Sequence, residues 1–192
     1  MRNRGTTSKL LMSVAVIGTL IGCGVPRSDL PDNPGGAVKS TSTATLVHWK
    51  KPTGGSYPTL RGDDISIEVD ISEQRAYVKS GDKTIYTMII SSGIDSTSEH
   101  GTPLGTYHIQ AERGIWFYAP KFAEGAAFWV SFLNHGEYLF HSVPMNKDKQ
   151  VIQSEARKLG HEASHGCIRL NIPDAKWIYE NIQTGTTVVI HE

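Results

Sequence analysis

Residues 160–170 read GHEASHGCIRL, and this stretch contains two overlapping motifs that predict different chemistry. From His161 it spells H-E-A-S-H, which fits the H-E-x-x-H signature of zinc metalloproteases. From Ser164 it spells S-H-G-C, in which a histidine and a glycine precede Cys167, a candidate nucleophile. The sequence around this stretch decides which of the two motifs the chain favours and which fold carries it.

The zinc motif has weak support. His161 and His165 share one face only in an α-helix, and Gly160 and Gly166 disfavour a helix on both sides of them. Five residues make roughly 1.4 helical turns. A third ligand would have to come from Glu180 or Asp174, and no further histidine extends the motif. We therefore predict no metal cofactor, and a zinc metalloprotease using His161, Glu162 and His165 remains the alternative.

The thiol motif has the elements that a cysteine nucleophile needs: a lowered pKa, a base within reach and donors for the developing oxyanion. Gly166 lets the backbone approach a substrate closely. His165 is so close in sequence to Cys167 that good hydrogen-bonding geometry between them is rare. We therefore predict that the base is His141, at the end of the segment EYLFHS (137–142), and that it holds Cys167 as a thiolate–imidazolium pair.

The chain from Asp64 onward predicts a mostly-β domain with two short helices, either a β-sandwich or an open barrel. Alternating polarity and β-branched or aromatic residues predict eight strands, at 65–70, 74–79, 83–90, 105–110, 114–119, 127–133, 137–142 and 186–191. Helices are predicted at 147–159, ended by Gly160, and at 173–182, opened by Pro173.

The first 22 residues have the layout of a secretory signal peptide, with three basic residues before the apolar run LLMSVAVIGTLIG (10–22). The run leads into LIGC (20–23), which resembles the lipobox of bacterial lipoproteins. That resemblance implies a lipid on Cys23, which would become the N-terminus and hold the protein at the membrane. An ordinary cleaved signal or an uncleaved anchor, with Cys23 incidental, is the alternative.

Residues 23–62 predict a flexible tether, because they are rich in proline and glycine and contain the polar run STSTAT (40–45). About forty coil residues have a root-mean-square span of roughly 35 Å. Within this tether, 46–62 holds Trp49 and Tyr57 and is a candidate to dock on the domain formed by 63–192.

Charge and cysteine content narrow the function. The 19 basic and 19 acidic residues cancel, so the composition predicts no binding to nucleic acid. The chain has two cysteines, and if Cys23 carries a lipid, Cys167 has no disulfide partner. A lone thiol in an oxidising compartment favours a functional role.

FHSVP (140–144) followed by ASHGCIRL (163–170) resembles the catalytic signature of the L,D-transpeptidases of bacterial cell walls, whose catalytic domain has the β-rich YkuD fold. SSGIDSTSEHGTPLGTYHI (91–109), FWVSF (128–132) and DAKWIYENIQTGTTVVI (174–190) resemble further parts of that family. The resemblance spans roughly residues 64–191.

The resemblance implies that Cys167 is the nucleophile, that His141 is the general base, and that the backbone carbonyl of Ser142 orients the imidazole. Ser164, His165 and Gly166 would shape the pocket, with backbone amides near Cys167 as oxyanion donors. The implied substrate is the peptide stem of peptidoglycan, cross-linked 3→3 or trimmed by hydrolysis, and no cofactor is needed. The implied location is outside the cell membrane, facing the cell wall and anchored by the lipid.

Two features depart from the family pattern. The 142–163 insert between the histidine and the S-H-G-C motif is longer than usual and contains the predicted helix 147–159, which makes it a candidate lid. Arg169 stands where the pattern has asparagine. It would position the substrate or brace the loop, and a structural ion pair is the alternative. A catalytically inert wall-binding lipoprotein with the same fold is the non-enzymatic alternative.

Overall fold

The computed structural model describes residues 48–62, 64–94 and 100–192. The predicted signal peptide, Cys23 and the tether up to residue 47 lie outside the described residues and stay predictions. Within the described ranges, no helix is long and apolar enough to cross a membrane.

The described residues form a curled sheet of nine strands with two short helices, which confirms the predicted mostly-β fold. The strands are β1 (Ile65–Asp70), β2 (Arg75–Ser80), β3 (Lys83–Ser91), β4 (Gly105–His108), β5 (Arg113–Ala119), β6 (Glu124–Leu133), β7 (Tyr138–Ser142), β8 (Ile168–Leu170) and β9 (Thr187–His191). The helices are α1 (Gln153–Ala156) and α2 (Ile172–Asn181). The strand order across the sheet is β4-β9-β1-β2-β3-β8-β7-β6-β5.

The strand that the sequence did not predict, β8, is central to the sheet. It pairs antiparallel with β3 and parallel with β7, and its three residues are all buried. The eight predicted strands are present, with ends displaced by a few residues. Because β8 begins directly after Cys167, the S-H-G-C motif lies next to the strand that joins β3 to β7 in the sheet.

Helix α2 covers the core beside strands β6 and β7. The Asn171 side chain caps it by accepting a hydrogen bond from the backbone amide of Asp174 at 2.7 Å, and Pro173 fits the first turn. Two residues of the helix, Ala175 and Ile178, are completely buried against the core. The helix packs on β6 and β7, and thereby supports the strands that carry the site.

The helix predicted at 147–159 is mostly wrong, since only Gln153–Ala156 is α-helical. The side-chain oxygen of Asn146 accepts hydrogen bonds from the backbone amides of Asp148 (3.0 Å) and Gln150 (2.9 Å). Lys149 takes a positive φ of 61°. A side-chain-stabilised turn therefore replaces the first helical turns.

Residues 48–62 pack on the β-rich domain through the first turn of α2. The buried carboxylate of Asp174 accepts hydrogen bonds from the hydroxyls of Thr53 (2.7 Å) and Tyr57 (2.8 Å). The Tyr57 ring stacks on Trp177, with ring centroids 5.5 Å apart. This segment therefore belongs structurally to the domain, and how far the tether extends before it stays a prediction.

Candidate active site

The parallel pair β7–β8 brings two predicted site residues to one face of the sheet. His141 in β7 is the register partner of Arg169 in β8, and paired residues of neighbouring strands point to the same side. Cys167 lies in the bend directly before β8, two residues ahead of Arg169. All three side chains line one cavity of about 550 Å³.

Aromatic and charged side chains form the walls of this cavity. Phe117 and Trp129 come from the β5–β6 hairpin, and Phe122 comes from the 3₁₀ turn Pro120–Phe122 at the tip of that hairpin. Lys121, Glu124 and Glu137 add charge to the lining. The volume lies within the range of small-molecule and peptide sites, about 300–1,000 Å³.

The His141 imidazole is buried and fixed in orientation. Its Nδ1 lies 2.6 Å from the backbone oxygen of Ser142. A carbonyl oxygen only accepts hydrogen bonds, so Nδ1 carries the proton and Nε2 is left as the acceptor. The Phe117 ring packs edge-on against it at 5.6 Å. Burial, followed by the charge of Arg169, lowers the pKa of His141 to about 3.

The Cys167 thiol is half-buried and donates a hydrogen bond to the backbone oxygen of Glu137 at 3.5 Å. Burial raises its pKa to about 11, although the Leu139 amide and the Arg169 charge act in the opposite direction. The two pKa shifts favour a neutral thiol and a neutral imidazole. They argue against the thiolate–imidazolium pair predicted from the sequence.

The loop before Cys167 is held rigidly by its own serine and glycine. The Ser164 hydroxyl donates to the Cys167 carbonyl at 2.5 Å and accepts from the Gly166 amide at 3.1 Å. Gly166 has a φ of +112°, and a Cβ there would lie 2.7 Å from the Tyr138 ring. The predicted oxyanion role of these amides stays a prediction, because the Gly166 amide is engaged by Ser164 in this structure.

Thr102, in the segment 91–109, supports the S-H-G-C loop through hydrogen bonds. The Thr102 hydroxyl donates to the Gly166 carbonyl at 3.0 Å and accepts from the Gly93 amide at 2.8 Å. Gly93 also forms a parallel bridge with Ser164. Thr102 belongs to the segment 91–109 that resembles the family, but its role could not be read from that segment. Only the fold shows that it supports the loop.

His165 is an exposed residue of the cavity lining whose ring contacts other aromatic rings. Its ring stacks on Phe122 with centroids 4.4 Å apart and meets His100 edge-on at 5.1 Å. Burial lowers the pKa of His165, and the Arg169 charge adds to that effect. This position agrees with a pocket-shaping residue and leaves His141 as the candidate base.

Arg169 is 4% exposed and forms two ion pairs. Its Nη1 lies 2.9 Å from Glu155 and its Nη2 lies 3.0 Å from Glu124. These contacts form the structural ion pairs that were the alternative for Arg169, and a role toward the substrate or the loop stays a prediction. No sequence pattern pointed to Glu124, which is 45 residues from Arg169, or to Glu155, which is 14 residues from it.

The H-E-x-x-H stretch does not form the helix that a zinc motif requires. The backbone amides of Ala163 and Ser164 both donate to the Ser92 oxygen, at 2.9 and 3.0 Å, so the end of this non-helical stretch lies against the residues that follow β3. Among the described residues, no cluster of three or more His, Cys, Asp or Glu side chains is placed to hold a metal ion. The helical geometry on which the zinc alternative depends is therefore not formed.

The sequence profile of the YkuD L,D-transpeptidase catalytic domain matches residues 64–190, so the chain belongs to this family, as the motifs predicted. Among known relatives, the chain is 58% identical over 146 residues to the protein named "Putative L,D-transpeptidase YciB" of Bacillus subtilis (strain 168). That match covers 76% of this chain and 75% of the relative.

Solved structures share the fold. The L,D-transpeptidase from Mycobacterium smegmatis is 18% identical with a TM-score of 0.53, over 67% of this chain and 59% of that chain. L,D-transpeptidase 3 from Mycobacterium tuberculosis, solved in complex with a faropenem-derived adduct, is 21% identical with a TM-score of 0.51, over 67% and 60%. A Clostridium acetobutylicum ATCC 824 protein described as a fused Zn-dependent amidase/peptidase/peptidoglycan-binding domain-containing protein is 30% identical with a TM-score of 0.50, over 67% and 52%. The chain thus spans less than two thirds of each of these proteins.

Proposed function

We propose that this protein is a peptidoglycan L,D-transpeptidase that works through a thioester on Cys167. One observation carries the proposal: Cys167, in the bend directly before β8, and His141, in β7, line one cavity, with Nε2 of His141 left as acceptor. Membership of the YkuD family supports it.

In the first half-reaction, the Cys167 sulfur attacks the carbonyl at the L-centre of the diamino acid in position three of a stem peptide. The thiol proton passes to Nε2 of His141 as the S–C bond forms, because the separated ion pair is disfavoured in the buried site. The C–N bond to the terminal D-alanine then breaks. His141 returns the proton to the departing amine, and the acyl group remains on sulfur.

In the second half-reaction, an amine of another stem attacks the thioester carbonyl. His141 takes a proton from that amine and returns it to the departing sulfur, which restores the Cys167 thiol and leaves a 3→3 cross-link. Attack by water at the same carbon gives carboxypeptidase activity instead.

The test uses the full chain with defined muropeptides and product masses. Cys167→Ala is expected to abolish both the acyl-enzyme and the cross-linked product, whereas Cys23→Ser, which changes the other cysteine, keeps both. Cross-linking that persists in Cys167→Ala would rule out the thioester mechanism.

Two rivals are separated by simple measurements. A zinc metalloprotease loses its activity in a chelator and regains it with zinc, whereas the thioester mechanism predicts no effect of either. An inert wall-binding protein transfers no acyl group, so it forms no product from muropeptides and no covalent faropenem adduct at position 167 by intact mass.

We also propose that a lipid on Cys23 anchors the protein at the membrane, with the tether carrying the domain toward the cell wall. Because residues 48–62 pack on the domain, the tether is residues 23–47, and about 25 coil residues with a span of roughly 28 Å suit a substrate that lies outside the bilayer. Cys23→Ser is expected to release the protein from the membrane fraction. Membrane attachment that is unchanged in this variant contradicts the proposal.

A further inference from the structure

We propose that Glu155 and Glu124 are positioning residues that hold the Arg169 guanidinium beside His141 and Cys167, and that the 142–163 insert serves the reaction by supplying Glu155. This inference rests on the proposed function. It assigns the insert a fixed supporting role, where the sequence had suggested a lid.

The two carboxylates that bind the Arg169 guanidinium come from different elements of the fold. Glu155 in α1 binds Nη1 and Glu124 at the start of β6 binds Nη2, each through its Oε2 atom. The Arg169 Nε is buried without a hydrogen-bond partner in the part of the chain that the structure describes. The planar cation therefore depends on these two ion pairs for its orientation, and a buried charge that loses its partner is strongly disfavoured.

The guanidinium lies where its charge acts on the reacting groups. Arg169 is the register partner of His141 and lines the same cavity as Cys167. Its charge lowers the pKa of His141 and also that of Cys167. A cation at this point stabilises negative charge on sulfur and keeps the imidazole free to accept a proton.

The 142–163 insert, which carries Glu155, is packed against the rest of the domain. Val143, Ala156 and Leu159 of the insert are buried together. Met145 and Gly125 exchange two backbone hydrogen bonds of 2.8 Å, which join the insert to β6 next to Glu124. Both carboxylates therefore stand on connected backbone.

Charged and titratable side chains from several elements surround the Arg169 guanidinium. Glu124 belongs to β6, Glu155 to α1 and His141 to β7, while His165 and Cys167 belong to the motif loop. Outside this shell, Lys158 binds the other oxygen of Glu155, Oε1, at 2.6 Å and is half-exposed. Lys158 thus provides a matched control, because its removal leaves the Arg169 contacts intact.

The experiment compares Glu155→Ala, Glu155→Gln and Lys158→Ala in the full chain, with kcat and KM normalised to active sites titrated by faropenem. Glu155→Ala is expected to lower kcat between about tenfold and a hundredfold with KM within about twofold, since the cation moves but the substrate contacts remain. Glu155→Gln keeps an oxygen acceptor and is expected to stay within about threefold of the parent. Lys158→Ala is expected to leave kcat unchanged. A normal kcat per titrated site in Glu155→Ala, or an equal loss in Lys158→Ala, overturns the proposal.

A second readout needs no stem peptide, so its result is distinct from any failure of the proposed function. The pH dependence of Cys167 alkylation by iodoacetamide is expected to move to higher pH in Glu155→Ala, because the displaced cation no longer lowers the pKa of the thiol. Glu155→Gln is expected to restore the parental profile. A role limited to folding lowers the melting temperature without moving this profile, and that result overturns the proposal.

Discussion

His141 and Arg169 are register partners on the parallel strands β7 and β8, and their side chains line the cavity that Cys167 also lines. A candidate base, a candidate nucleophile and a buried cation therefore share one cavity because two short strands pair in one register. A shift of that register by one residue would turn His141 to the opposite face of the sheet. The chemistry thus depends directly on sheet topology.

The importance of His141 as the base can be measured directly. His141→Ala is expected to lower kcat for stem-peptide transfer by about 10²–10⁴-fold, because the variant lacks the proton acceptor at Nε2. His135→Ala serves as the control, since that side chain is 75% exposed and does not line the cavity. Comparable rates in both variants would contradict the assignment of His141.

The protonation state of the Cys167 thiol predicts how its reactivity changes with pH. Because burial raises the pKa of the thiol to about 11, the rate of alkylation by iodoacetamide is expected to rise about tenfold per pH unit through the neutral range and toward pH 10. Intact mass and initial rates supply the measurement, with Cys167→Ala as the blank. A plateau below pH 7 would instead establish a thiolate–imidazolium pair.

Burial of His141 also predicts a stability effect. The pKa of this imidazole falls from 6.5 to about 3 on folding, so the unfolded chain binds more protons between these values. Stability is therefore expected to fall as the pH drops from 6.5 toward 3, by up to about 1.4 kcal/mol per pH unit from this group. Urea unfolding at several pH values is expected to show a shallower slope for His141→Gln. An unchanged slope in that variant would argue against the buried neutral histidine.

A comparison of two glycines with the same φ distinguishes the cost of backbone strain from the cost of side-chain crowding. Gly166 and Gly136 both have a φ of +112°, but an added Cβ meets the Tyr138 ring at 2.7 Å only in the first, and finds open space in the second. Gly166→Ala is expected to lose most transfer activity because the S-H-G-C loop must shift, whereas Gly136→Ala shows the cost of strain alone, of order 1–3 kcal/mol. Equal activity losses in the two variants would show that crowding is unimportant.

The packing of residues 48–62 predicts a hierarchy of stability effects at Asp174. Asp174→Ala is expected to lower the free energy of unfolding by about 3 kcal/mol, because it leaves several donors from Thr53, Tyr57 and Asn171 without an acceptor. Tyr57→Phe removes one of these donors and is expected to cost about 1 kcal/mol. Denaturant unfolding of both variants provides the test, and a larger loss in Tyr57→Phe would contradict Asp174 as the acceptor at the centre of the cluster.

The sequence located most strands because they carry local signals. The alternation in ISIEVD (65–70) corresponds to β1, in which Ile67 and Val69 are completely buried. Local signals failed where side chains compete with the backbone. The Asn146 turn removes the first part of the predicted helix 147–159, and strand β8 has only three residues, too few to show a period.

The sequence by itself determined the family, the mostly-β fold and the two residues proposed for the chemistry, because S-H-G-C and the upstream histidine form a local and specific pattern. Only the tertiary structure decided how those residues meet and in which charge state they rest. Burial sets the pKa values of His141 and Cys167, and the partners of Arg169 come from β6 and from the insert. Desolvation and ion pairing depend on which distant segments pack together, and no short stretch of sequence contains that information.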